Sequence, residues 1–255
     1  MKVKFKLKSE KLEELKTIIS DLCKIDKQIK IKVSEGKFSI YSSGSIGERK
    51  ANSPVLALKY FFFDKEEFLY LEEDVDFDWV IGSGTTLNKK LSFLDTSKDI
   101  VGTLNASNMK GSNYVSNVLF TDGKLKFTLS GQDPMEIKDI KLSQLNSLTD
   151  VSNSITKFSV NTDDFNTAKS LVNIETDEII SITLNNNKTL FRQSSWELEV
   201  GTNDYESSKT ISFNKKYLKS ITNSQDINWI VFPTFLLFKE DNQTFMVSYE
   251  QDFSQ

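Results

Sequence analysis

The chain has 255 residues, 36 acidic against 32 basic, a formal net charge of -4, one cysteine and no histidine. That length can bury one large core or two smaller ones, with two domains of ordinary size favoured, and the acidic balance excludes a generally basic nucleic-acid coating protein while permitting a local basic surface. The missing histidine removes the usual neutral-pH acid-base group and the commonest metal ligand, the single Cys23 excludes an intrachain disulfide, and no stretch is apolar for long enough to cross a bilayer, so a reducing, cytoplasmic setting without membrane partners is expected.

The opening M-K-V-K-F-K-L-K alternates lysine with apolar residues, which predicts a half-buried strand with Val3, Phe5 and Leu7 inward. Ser9 stands where a cap belongs, before a helix with Leu12, Leu15, Ile18, Ile19 and Leu22 on one face and Cys23 buried beside it. Strands are expected at 29–33 and 38–41 around a turn at 34–37, then a loop with an irregular strand over 42–58 that includes Gly44, Gly47 and Pro54. Segments 60–63 and 68–71 read as strands, and Phe77, Trp79 and Ile81 alternate strongly. A second helix runs from Leu87 towards Lys98 with Leu87, Leu91 and Leu94 as its packed edge. A strand at 100–104, a polar excursion over 105–114 and a hairpin centred on Asp122 and Gly123 follow, before Gly131 to Pro134 break the sheet.

The pattern then restarts. Phe158 and Val160 mirror Phe5 and Leu7, Thr162 takes the capping place of Ser9, and Phe165, Ala168, Leu171 and Val172 repeat the spacing of Leu12, Leu15, Ile18 and Ile19. Trp196, Leu198 and Val200 take the role of Phe77, Trp79 and Ile81, and N-K-K-L at 88–91 is echoed by N-K-K-Y at 214–217. The repeated order predicts two similar α+β domains, 1–133 and 156–255, joined by a connector over 134–155, each with antiparallel strands covered on one side by two helices. Leu12, Ile19, Trp79, Leu91, Val160, Leu171, Trp196, Leu218 and Val231 are expected to be buried.

Catalytic signals are poor. The acidic run Glu72, Glu73, Asp74, Asp76 and Asp78 straddles a loop and an alternating strand, as a solvated turn would, and Gly82 and Gly84 are too few for a phosphate cradle. The segment F-N-K-K-Y-L-K-S-I is more telling, because Tyr217, Leu218 and Ile221 gather on one side of a short helix while Lys215, Lys216 and Lys219 gather on the other. Two strands follow it, joined by a turn at Glu240, Asp241 and Asn242. If basic faces recur on the other helices, they form a phosphate-backbone surface within an acidic protein.

The duplicated strand-helix units, the long connector and the C-terminal run from F-N-K-K-Y-L-K-S-I to F-M-V-S-Y resemble a DNA polymerase sliding clamp, and look most like those of T-even-type tailed phages within the wider class of proliferating-cell clamps. The resemblance covers the chain at the level of architecture and is sharpest from Lys157 to Phe253. It implies a non-enzymatic, cofactor-free homotrimeric ring with sheets outside and helices lining a channel around duplex DNA. It also implies a tethered replicative polymerase, a separate clamp-loader ATPase and, in the phage family, a link to late transcription. The channel residues it implies are Lys16, Lys24, Lys89, Lys90, Lys169, Lys215, Lys216 and Lys219, although Glu10, Glu13, Glu14 and Asp21 make the first helix mostly acidic. An edge near Leu104 to Val118 would meet one near Trp196 to Ile211 of the next copy. Phe232, Pro233 and Phe235 would floor an outer partner pocket between the domains beneath the connector. A two-domain structural or interaction module that never encircles DNA is the alternative; a metal-dependent hydrolase using the 72–78 acids is the poorest reading.

Overall fold

The structure is a computed structural model that describes residues 1–45, 54–109, 111–221, 226–240 and 242–249. The expected turn residue Asp241, Gly47 within the expected loop, and the end of the stretch from Lys157 to Phe253 lie outside the described residues. The chain forms two compact units, Met1–Val55 with Lys59–Asp139, and Leu56–Leu58 with Ile140–Gln255.

The first unit runs β1 (Lys2–Leu7), α1 (Leu12–Leu22), β2 (Ile29–Ser34), β3 (Lys37–Ser45), β4 (Val55–Asp64), α2 (Lys65–Phe68), β5 (Leu69–Leu71), β6 (Phe77–Ile81), α3 (Gly84–Leu91), β7 (Ile100–Met109), β8 (Ser112–Thr121) and β9 (Lys126–Ser130). Its strands lie in the order β4-β3-β2-β6 and then β8-β7-β1-β5, with β9 pairing β8. The pairings of β1 with β5 and β7, β2 with β3 and β6, β7 with β8 and β8 with β9 are antiparallel, and β6 meets β8 in a parallel contact, Asp78 with Tyr114. Inward residues of these strands, among them Val3, Ile31, Trp79 and Phe120, join Leu12, Ile19, Leu87 and Leu91 of α1 and α3 in one core.

The second unit contains α4 (Leu142–Leu148), β10 (Thr156–Val160), α5 (Thr162–Ile174), β11 (Ile179–Asn185), β12 (Lys188–Gln193), β13 (Trp196–Thr202), β14 (Lys209–Asn214), α6 (Lys215–Lys219), β15 (Ile227–Val231), β16 (Phe235–Glu240) and β17 (Gln243–Ser248). Strand orders β13-β12-β11-β14 and β10-β15-β16-β17 repeat those of β4-β3-β2-β6 and β1-β7-β8-β9. Even the tight turns correspond, since Glu35 and Gly36 (φ 54° and 73°) join β2 to β3 as Asn186 and Asn187 (φ 45° and 67°) join β11 to β12. Two consecutive left-handed residues match the twist of the flanking strands.

Several local expectations are corrected. The segment expected as a polar excursion at 105–114 is mostly strand, because Asn side chains pair across it: Asn105 Nδ2 donates to Asn117 Oδ1 at 2.7 Å and Asn108 Nδ2 to Asn113 Oδ1 at 3.1 Å. Strand β3 runs on to Ser45 and β4 begins at Val55, so the stretch expected as a loop with an irregular strand carries the ends of two regular strands. Phe68, expected to open a strand, instead ends a helical turn over 65–68, where the Asp64 and Glu67 side chains close a capping box. Helix α3 ends at Leu91 rather than running towards Lys98, where Ser92 returns its hydroxyl to Asn88 O at 2.9 Å. Ser9 opens a 3-10 turn without capping α1, and the cap of α5 is Asn161, one residue before Thr162. Leu171 and Trp196 are only partly buried, the latter on strand β13, which has one strand partner; Cys23 is also half-buried.

Candidate nucleic-acid interface

In each unit two helices cover one face of the sheet and turn their polar sides to solvent. Helices α1 and α3 pack together, and Asn88 Nδ2 donates to Lys16 O at 3.1 Å across the contact. The glycine expected to be too isolated for a phosphate cradle has a packing role: a Cβ on Gly84 would stand 2.2 Å from Ile29 Cδ1 and 2.7 Å from Cys23 Sγ. The Ser83 hydroxyl accepts from Thr86 N–H at 3.2 Å and so starts α3 at that close approach. In the second unit α5 packs with α6, Asn214 accepts from Lys216 N–H at 3.1 Å, and Lys169 Nζ donates to Ile221 O at 2.8 Å.

The eight lysines therefore divide by environment. Lys89 and Lys216 are exposed on α3 and α6, the latter with its Nζ 4.8 Å from the Tyr217 ring centroid. Lys24 is exposed but pairs with Asp21 at 2.9 Å, and the half-buried Lys16 pairs with Glu13 at 2.7 Å. Lys90 donates to Thr128 O at 3.2 Å and lies over Phe127, while Lys169 is engaged with Ile221 O; Lys219 is half-buried. Lys215, expected on a solvated face, is buried: its Nζ donates to Glu175 O at 2.7 Å and stands 3.8 Å from Glu178 Oε1. As the first residue of a five-residue helix it faces the chain entering β11, which a helical wheel drawn on α6 alone does not contain.

Counting lysines missed the rest of these faces. Thr17, Ser20, Thr85, Thr86, Asn166, Thr167 and Ser170 are exposed on α1, α3 and α5. Thr17, Thr167 and Ser170 donate back to helix carbonyls at 2.9 Å, which keeps the hydroxyls within their own helices. Small polar residues of this kind can contact phosphate without reading base sequence. Their signal in the sequence is a run of Thr, Ser and Asn on the wheel positions opposite the core.

The acidic run 72–78 is dispersed by the fold. Glu72 lies 3.5 Å from Lys4, Asp74 pairs with Lys65, and Asp78 is buried beside Lys30. Among the described residues no group of acids or Cys stands together as metal ligands.

No protein-family model matches the chain, and no curated protein does. Solved structures do. The whole chain superposes on 65% of a Helicobacter pylori beta clamp in complex with 5-chloroisatin (TM-score 0.64, 13% identity). It superposes equally on 68% of the Helicobacter pylori beta clamp bound to a DNA ligase peptide (0.63, 12%). All of the chain matches 66% of the DNA polymerase sliding clamp from Bacillus subtilis (0.64, 15%). The fold is that of a sliding clamp. It is α+β with extended antiparallel sheets, and this chain spans about two-thirds of the clamps it matches.

The aromatics expected to floor a partner pocket lie on the side of β15-β16-β17 away from Trp229 and Phe245. Phe232, Phe235 and Leu237 form a small cluster with the partly buried Ile230 and Met246. The Phe232 and Phe235 rings stack at 4.4 Å and 13°, and Phe232 N–H donates to Phe235 O at 2.9 Å, so the two rings close a turn instead of lying open; Pro233 at its tip is exposed. Tyr249 ties the turn down, its hydroxyl donating to Phe232 O at 2.6 Å, and burial pushes that phenol above its ordinary range.

Proposed function

We propose that this chain is a sliding clamp: a homotrimeric ring that encircles duplex DNA, with no chemical step of its own, and tethers a replicative polymerase after a clamp-loader ATPase has placed it. The observation that carries the reading is the duplicated strand order with a helix pair on each inner face, in a fold whose structural neighbours are bacterial clamps. Six such units make a ring from three chains, with residues 134–155 as the interdomain connector. DNA contacts on this reading come from Lys89 and Lys216, from Lys24, Lys16 and Lys219 with their neighbours' charge partly offset, and from the Thr and Ser side chains beside them. Lys90, Lys169 and Lys215 serve instead as tethers. A surface of few cations suits a protein that must move along DNA, since retention comes from closure and not from many phosphate contacts.

The free sheet edges support head-to-tail closure and move the expected contact. Among the described residues, strands β7 and β8 are paired on both sides along most of their length, whereas β9 pairs only β8, and β13 pairs β12 apart from one bridge at its end, Asn203 with Phe158. Each edge has an exposed apolar side chain near it. Phe93 follows α3, whose Lys90 reaches Thr128 of β9, and Ile174 precedes Glu175, which accepts from Ser195 at the start of β13. We place β9 of one copy against β13 of the next, with Phe93 near Ile174. Partner segments dock over the Ile230 and Met246 side of the aromatic cluster.

The test is retention on DNA circles. Clamp loaded on nicked circular duplex should stay bound through a high-salt wash and be lost when the circle is cut, and sedimentation across a concentration series should reach a trimer. A concentration-independent monomer, with equal loss from circular and linear DNA, would leave the two-domain interaction module as the reading.

A further inference from the structure

Residues 132–139 cross the face of β3-β2-β6 that the helices leave uncovered. Ile29, Ile31, Val33, Phe77 and Trp79 point into the core, so Lys30, Lys32, Asp78 and Val80 alternate to the other face. The segment is not a strand of the sheet. It enters on one main-chain bond, Gln132 N–H to Val80 O at 2.9 Å, and side chains hold it thereafter. Gln28 Nε2 donates to Glu136 Oε2 at 2.9 Å, Ile137 is buried, and Tyr41 donates its hydroxyl to Lys138 O at 3.2 Å. At the end Asp139 accepts from Lys30 at 3.0 Å and from Lys32 at 2.9 and 3.0 Å.

The two sides of this last contact are unequal. The Lys30 side chain is 1% exposed and the Asp139 side chain 44%, so the carboxylate is the outer, removable half. When it leaves, Lys30 keeps Asp78 at 3.2 Å and is not left as a lone buried charge. The lysines hold the Asp139 carboxyl below its ordinary range against the opposing effect of burial. We propose that residues 132–139 are a strap closed by an ionic latch, Asp139 on Lys30 and Lys32, and that the strap opens as a unit while the sheet beneath stays folded. Opening uncovers the two lysines and the stacked pair Tyr41 and Tyr60, whose rings lie 5.0 Å apart, as a cationic aromatic surface. The inference does not depend on DNA encirclement.

Amide hydrogen exchange on the full-length protein tests it. In Asp139→Asn the amide of Gln132, which is held by Val80 O across the contact, should exchange roughly tenfold faster or more, the change expected when charge-assisted hydrogen bonds are lost. The amides of β2, β3 and β6 should keep their rates, and raised salt should act on the native strap in the same direction. Glu136→Gln, which leaves the latch in place, should have a smaller effect. Unchanged strap exchange in Asp139→Asn, an equal effect of Glu136→Gln, or loss of protection in β2 and β6 together with the strap would each overturn the latch.

Discussion

The faces of β4-β3-β2-β6 and β13-β12-β11-β14 turned away from the helices share a strand order and differ in what lies on them. The first carries Lys30, Lys32, Asp78, Tyr41 and Tyr60, and the strap covers it. The second carries hydroxyls, Ser181 with Ser212 at 2.9 Å and Thr183 with Thr210 at 3.3 Å, beside an open hollow of about 460 Å³ that Arg192 and Asp177 also line. Small hydroxyls suit a face that meets water, because each pairs with its neighbour and needs no cover. Buried lysines require carboxylates, and two of theirs, Asp78 and Asp139, come from different segments. Sheet topology is thus set by the inward residues, and the outward residues record what each face must meet.

The helices show the same contrast. By the spacing that aligns Leu12 with Phe165 and Ile19 with Val172, Asp21 of α1 corresponds to Ile174 of α5. Asp21 is buried against Lys59, whose side chain is 0% exposed, whereas Ile174 is 79% exposed. Asp21→Ala should therefore cost about 3–5 kcal/mol, the scale of breaking a buried ion pair, with the loss read from chemical denaturation of the first unit. Ile174→Ala should change folding stability by less than about 0.5 kcal/mol while weakening self-association in sedimentation. Equal folding costs would break the comparison.

A smaller difference lies in the caps. Asn161 accepts from Asp164 N–H at 2.8 Å at the start of α5, while α1 has no side-chain cap. Asn161→Ala should cost about 1 kcal/mol and Ser9→Ala less than about 0.5 kcal/mol, measured as shifts in denaturation midpoint. A larger cost at Ser9 would place a cap where the geometry has none.

The smallest expected effect is a local titration. Asp122 accepts backbone N–H bonds from Asp95, Leu125 and Lys124, which lower its carboxyl to about 2. A depressed carboxyl contributes fully above its unfolded value, about 3.9, and loses that contribution as pH falls through the folded value. Acid near pH 2 should loosen the turn between β8 and β9, whereas the neutral Asn161 cap should not respond. Side-chain NMR showing an ordinary midpoint for Asp122 would remove the distinction.

The alternation of Val3, Phe5 and Leu7, the heptad-like spacing of Leu12 to Leu22 and the paired N-K-K segments were enough to read two related α+β halves, since periodicity reports which face of an element meets a core. Capping residues and element ends were less legible. Ser9 and Thr162 resemble caps in sequence, yet the capping geometry depends on backbone angles that neighbouring strands impose. The candidate site was the least legible part: Lys215, Lys216 and Lys219 look alike on a wheel, but Lys215 turns under the chain near Glu175 and Glu178, and Phe232 closes on Phe235 across a turn. Residue type and spacing thus determined the elements, their repeat and their inward faces, because burying apolar surface is a local demand met by every third, fourth or second residue. Which lysines stay in water, which edges stay unpaired and which face receives the strap were decided only in the tertiary structure, because a charge or a strand edge is satisfied by partners that lie far away in the chain.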